Sequence, residues 1–384
     1  MQPTDTPYDL LERTYDLPEG SPVRLELLEQ AVRLADSLGD VEAGWDARDA
    51  LMEAATMGGH PEKTLVAFGW SLAQFDRLGD QYGWDEEDLL WKYKWVINSL
   101  WNFPSITAAQ IEAAFTDFQA RLERAGYGPR TLYYFRWIYQ SSRGDSSASE
   151  HWRTQWSHAK RDDISDCSAC EASFLVDYQR DQPKEALEAA KLILNGRLRC
   201  AEVPHVTLAA VLEPMLRSGE FEEAVRTHLR GYKMIRDNQE FLISAGQHMA
   251  FLAYTHNLPA ATKLFERHLP WALETADLNR RYSFYVDALA LLRRLRDAGQ
   301  SHMQLQVPQT FAVQASPDGL EIAALEAYLL SEATAIAAAF DARNGTDKFT
   351  RGLALTDELL STPFVSIERP ETESALKNKQ KRKL

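Results

Sequence analysis

The sequence predicts an all-α fold, an α-solenoid of antiparallel helix pairs, and three observations carry that prediction. Apolar residues recur at helical spacing along most of the chain. Glycine, proline and short polar residues punctuate them at tight turns. One turn-plus-helix pattern also returns at a fixed interval. A chain of 384 residues exceeds the roughly 250–300 residues at which a single globular core stops growing. A repeat array escapes that limit because each unit packs only on its neighbours.

The first helix pair sets the pattern. Ser21 can cap a helix that opens on Pro22, where the missing amide donor costs nothing. Leu27, Leu28, Ala31, Leu34, Ala35 and Leu38 then share one face. Gly39 ends this helix and Asp40 can cap the next, with Ala47, Ala50, Leu51 and Ala54 on one side. Gly58 and Gly59 stop that one, and Pro61 opens a third through Leu65, Phe68 and Leu72.

Three later segments repeat a turn followed by a helix with a small residue near its start: Gln182 to Ala186, Glu220 to Ala224 and Asn257 to Ala261. Ala186, Ala224 and Ala261 lie 38 and 37 positions apart, and His60 to Thr64 is a more distant copy. In this period and helical pattern, residues 20–300 resemble the tetratricopeptide-like superfamily, including its bacterial members. The chain departs from the repeat signature, whose Trp, Leu, Gly and Tyr positions are absent, and Pro214 interrupts one first helix. The resemblance implies a right-handed solenoid over residues 1–300 whose concave surface binds a protein or peptide, without catalytic activity.

The pattern changes beyond residue 300. Residues 301–317, including Gln304 to Pro308, read as an extended connector, and 318–363 as a C-terminal helix pair divided at Asn344-Gly345. Residues 364–384, with Lys377, Lys379, Lys381, Arg382 and Lys383, read as a disordered basic tail.

Composition narrows the function. The net charge of −14 disfavours broad contact with nucleic acid or an anionic membrane. The first residues carry neither a basic region nor an apolar stretch, and no apolar run reaches the roughly 20 residues a bilayer span requires. A cytoplasmic protein without a membrane anchor is expected. Three cysteines do not make a disulfide framework.

Those three cysteines form the sharpest local feature. Cys167, Cys170, Cys200 and His205 have the spacing C-x2-C-x29-C-x4-H. Cys167 precedes Ala186 by 19 residues, as His205 precedes Ala224. If those alanines are equivalent, both pairs stand at the same end of consecutive first helices. Sulfur and imidazole donors in that arrangement suit a structural zinc ion. Two other readings remain open. A C-x2-C pair at a helix start is also a redox geometry, and buried cysteines pack as small hydrophobes.

Two surfaces are candidates for a partner. Arg226, Arg230 and Lys233 fall on one face of a helix, and Arg280, Arg281, Arg293, Arg294 and Arg296 follow later. Together they could form a groove for an acidic peptide or an anionic small molecule, making the protein a ligand-responsive regulator; alternatively they form a solvated face paired with Glu222 and Glu223. Seven of the ten tryptophans lie between residues 84 and 156. Trp91 and Trp95, with Lys92 and Lys94 between them, could anchor a peptide or simply form a core stripe. The run Asp85 to Asp88 suits a helix N-terminus. Ser157 to Lys160 matches S-x-x-K without its companion motifs, and no phosphate loop, H-E-x-x-H or G-x-S-x-G is present.

Overall fold

The computed structural model describes residues 5–307, 311–313, 315–354, 359 and 361–367. The chain is all-α in character, and the helix boundaries follow from local chemistry. Thr6 caps α1 (Pro7–Glu12), Ser21 caps α2 (Pro22–Leu38) and Asp40 caps α3 (Val41–Met57). Gly39 closes α2 at φ 66°, a backbone state that favours glycine. Pro61 opens α4 (Pro61–Tyr82), and Asp85 and Thr107 cap α5 (Glu86–Leu100) and α6 (Ala108–Arg124). α7 (Arg130–Arg143) and α8 (Ser146–His158) meet at Gly144 and the Asp145 cap. After α9 (Ser168–Tyr178) and α10 (Pro183–Leu194), Pro214 splits the next element into α11 (His205–Ala210) and α12 (Leu212–Arg217). Proline donates no amide hydrogen bond, so a break here is expected. α13 (Phe221–Ile235), a short 3₁₀ turn (Gln239–Phe241), α14 (Leu242–Tyr254), α15 (Leu258–Glu274) and α16 (Leu278–Asp297) complete the array.

The repeat register has a packing cause. Ala186, Ala224 and Ala261 are each the fourth residue of their helices, α10, α13 and α15, and each is 0% exposed. Thr64 holds the same place in α4 and is equally buried. A small side chain there lets the helix backbone approach its neighbour. The turns before three of these helices close alike: the amides of His60, Glu220 and Asn257 donate to the carbonyls of Ala55, Met215 and Leu252 at 2.8, 2.9 and 2.8 Å. This six-to-one bond satisfies a carbonyl left over at a helix end.

Among the described residues the array has two large cores and two small apolar clusters. One large core gathers residues from Leu10 to Ile164, the other residues from Val176 to Leu359. α9 belongs to both: Phe174, Leu175 and Tyr178 pack against the first, while Val176 lies in the second. The halves also meet through loops far apart in sequence. Asn238 donates to the Met57 carbonyl (2.9 Å), Asn102 to Asp277 (3.1 Å), Arg343 to the Phe103 carbonyl (3.0 Å) and Arg143 to the Asn344 carbonyl (2.9 Å).

The C-terminal part differs from a plain connector and helix pair. His302–Met303 (β1) pairs antiparallel with Leu320–Glu321 (β2), Met303 facing Leu320; Pro308 lies outside the described residues. α17 (Ile322–Asn344) is long and apolar enough, by length and composition, to cross a membrane. It packs Leu325, Leu329, Ala333 and Phe340 into the second core, and its Glu326 pairs with Arg293 (3.4 Å) and Arg296 (2.8 Å). α18 spans Lys348–Gly352, and Val365 binds the α14–α15 turn through Thr255 and Asn257. The basic residues Lys377 to Lys383 lie outside the described residues.

Candidate metal centre

The N-terminus of α9 and the loop after α10 bring three sulfurs together. Cys167 caps α9, and its Sγ accepts the Cys170 amide hydrogen bond at 3.2 Å. The Cys167 and Cys170 sulfurs are 3.1 Å apart, the Cys170 and Cys200 sulfurs 3.3 Å. All three lie within 4.8 Å of one another, half-buried and unbridged. Cys200 reaches them on a loop turned by Gly196 (φ 78°) and held by its amide bond to the Val203 carbonyl (2.9 Å).

The electrostatics favour one thiolate, at Cys200. Cys200 is held down to about 5, first by the hydrogen bond from the Cys170 thiol and further by the backbone amides of Glu202 and Val203. Cys170 is pushed up because it supplies that hydrogen bond and is buried. Lys94, 1% exposed on α5, donates to the Ile164 carbonyl (3.0 Å), stands 3.4 Å from Asp166 and lies over the Trp91 ring. Burial lowers the Lys94 ammonium, while Asp166 and the Cys170 and Cys167 sulfurs pull it back. A divalent ion on three thiolates would carry a net negative charge, which this buried cation would offset.

The segment before α9 is anchored independently. Glu171 receives Arg130 at 3.1 and 2.9 Å, Arg161 at 2.5 Å and the Trp156 indole at 3.1 Å. The Cys167–Cys170 turn is therefore placed by a buried network as well as by its own cap.

His205 stands at the first position of α11 but outside the sulfur cluster. Its ring stacks on Phe241 at 5.3 Å and 12°, and its Nδ1 is buried without a hydrogen-bond partner. Burial keeps the imidazole below its ordinary pKa. As a fit test, tetrahedral zinc with bonds of about 2.3 Å needs sulfurs about 3.8 Å apart. The Cys167–Cys170 and Cys170–Cys200 pairs would have to open by about 0.7 and 0.5 Å.

The other candidates are placed differently. Arg226 is exposed on α13 and bound to Glu223 (2.6 Å) and Glu222 (3.7 Å); Arg230 and Lys233 are exposed on the same helix. The later arginines do not extend that stripe. Arg280 is bound between Glu240 (2.7 Å) and Asp277 (3.2 Å), Arg281 caps the carbonyls of Leu273 and Thr275, and Arg293 and Arg296 hold Glu326. Trp91 is 39% exposed and Trp95 half-buried on α5. Asp85 caps α5, with Glu86 bound to Arg124 and Glu87 to Tyr127. Ser157 donates to the Thr154 carbonyl of its own helix.

Sequence reasoning missed Lys94 and Glu171, although a lysine among Leu90, Tyr93 and Ile97 on one helical face signals a buried cation. It also missed three buried histidines between α13, α14 and α15. His228 and His248 touch through their Nδ1 atoms (3.1 Å), and His268 meets the Tyr232 hydroxyl (3.0 Å). No known family model matches the sequence, and no curated protein matches it significantly.

Proposed function

We propose that the protein is a cytoplasmic, non-enzymatic helical scaffold of right-handed, tetratricopeptide-like pairs, stapled by one structural zinc ion, which presents its surface to a protein or peptide partner. The observation that carries the zinc is the convergence of all three cysteines of the chain, from the head of α9 and the loop after α10, to within 4.8 Å. His205 supplies the fourth ligand by turning its unpartnered Nδ1 toward the sulfurs. Four protein ligands close the site to water, so the ion would hold structure and would not catalyse. Its place at the head of α9, the helix shared by both cores, suits a staple. The partner-binding role rests on analogy with helical arrays. A regulator of anionic ligands is the weaker reading, because Glu222 and Glu223 already neutralise Arg226.

The test is the metal content of protein purified without chelators, with thermal melts before and after chelation. One zinc per chain, lost together with stability on chelation and absent from Cys167→Ser, supports the staple. Metal-free protein with an unchanged melt refutes it.

A further inference from the structure

We propose that the centre is also an oxidation-sensitive site, at which hydrogen peroxide joins Cys167 and Cys170 in a disulfide and expels the zinc ion. This rests on the zinc reading above. Two features of the site point to it. The sulfurs are half-buried, so a small oxidant reaches them. Cys167 and Cys170 are 3.1 Å apart on one helix start, so side-chain rotation closes the bond. Cys200 lies on a separate loop with its sulfur 3.3 Å from that of Cys170, so the contiguous Cys167–Cys170 turn competes with a Cys170–Cys200 bridge, which the peptide masses distinguish.

The chemistry balances as follows. One thiolate of the pair attacks a peroxide oxygen, forming a sulfenic acid and releasing hydroxide. The second thiolate displaces hydroxide from that sulfur as the S–S bond forms. The two sulfurs lose two electrons in total, and the peroxide, with two protons, becomes two waters. The ion is left with Cys200 and His205, too few ligands for a closed tetrahedral site. Its departure unties the loop after α10 from α9, at the junction of the two cores.

The test uses the full chain with its zinc, quantified beforehand and treated with excess hydrogen peroxide in oxygen-free buffer. A chromogenic chelator reports released zinc, and mass spectrometry of the proteolysed protein reports the cysteines. The expected result is release of all bound zinc, with a peptide containing Cys167 and Cys170 lighter by two hydrogens. Dithiothreitol and added zinc should restore the original melt. Cys200→Ser should still form the bridge under peroxide, and Cys170→Ser should not. Zinc retained through the treatment, or released with two oxygens added to a single cysteine, overturns the oxidation site and leaves the staple standing. Protein without zinc at the outset overturns both.

Discussion

At the scale of single residues, the candidate metal ligands differ in how readily they converge. The three sulfurs already converge, whereas His205 must leave its stack on Phe241 to complete the set. His205→Ala should therefore weaken zinc binding by roughly 10–100-fold without abolishing it, as read by competition with a chromogenic chelator. An unchanged affinity would remove His205 from the site. The buried histidines make a prediction about acid. Burial lowers His228 and His268 to about 4 and His248 further, against about 6.5 in an unfolded chain. As pH falls from 6.5 toward 4, the unfolded state takes up protons that the folded state refuses, so stability is lost over that window. Glu240 and Asp287, raised to about 7 by burial, act in the opposite sense, losing stability as pH rises toward 7. Comparison with His228→Phe isolates the histidine: wild type should lose on the order of 3 kcal/mol more than the variant across the window. Parallel urea-denaturation profiles would contradict this. The cysteines were legible from spacing alone. The Lys94–Asp166 pair was not, because its members lie 72 positions apart and only packing brings them together.

At the scale of elements, local chemistry was read well wherever it decides the outcome. Ser21, Asp40, Gly39 and Pro61 each do at a helix end what their residue type favours. The repeat was readable because a small residue recurs at the fourth position of α10, α13 and α15, where it is fully buried. Ala261→Leu should destabilise the fold by about 1–3 kcal/mol, and Ala224→Leu similarly, measured by chemical denaturation. A loss under about 0.5 kcal/mol at both would mean that the shared position is not a packing constraint. The β1–β2 pairing escaped the reading because two-residue strands carry no periodic signal. The first helix of the expected C-terminal pair is longer and more apolar than its charges suggest, because Glu326 and Glu332 interrupt α17.

At the scale of the whole molecule, the unforeseen feature is contact between the halves. Loops some 175–240 positions apart meet, and no local pattern records such pairings. At that seam Arg280 neutralises Glu240 and the fully buried Asp277. Arg280→Ala should cost about 3 kcal/mol by leaving two carboxylates without their cation. Limited proteolysis should then cut the 236–241 segment faster than in wild type, and equal cleavage rates would show that the seam does not hold the halves. The three-cysteine cluster stands at the head of α9, the helix both cores share. The most direct test of this account is the zinc content of the purified chain, measured by mass spectrometry beside melts with and without a strong chelator. The account predicts one zinc per chain and a melting temperature lowered by chelation in wild type but not in Cys167→Ser. A chain that purifies without metal and melts identically under both conditions would contradict it.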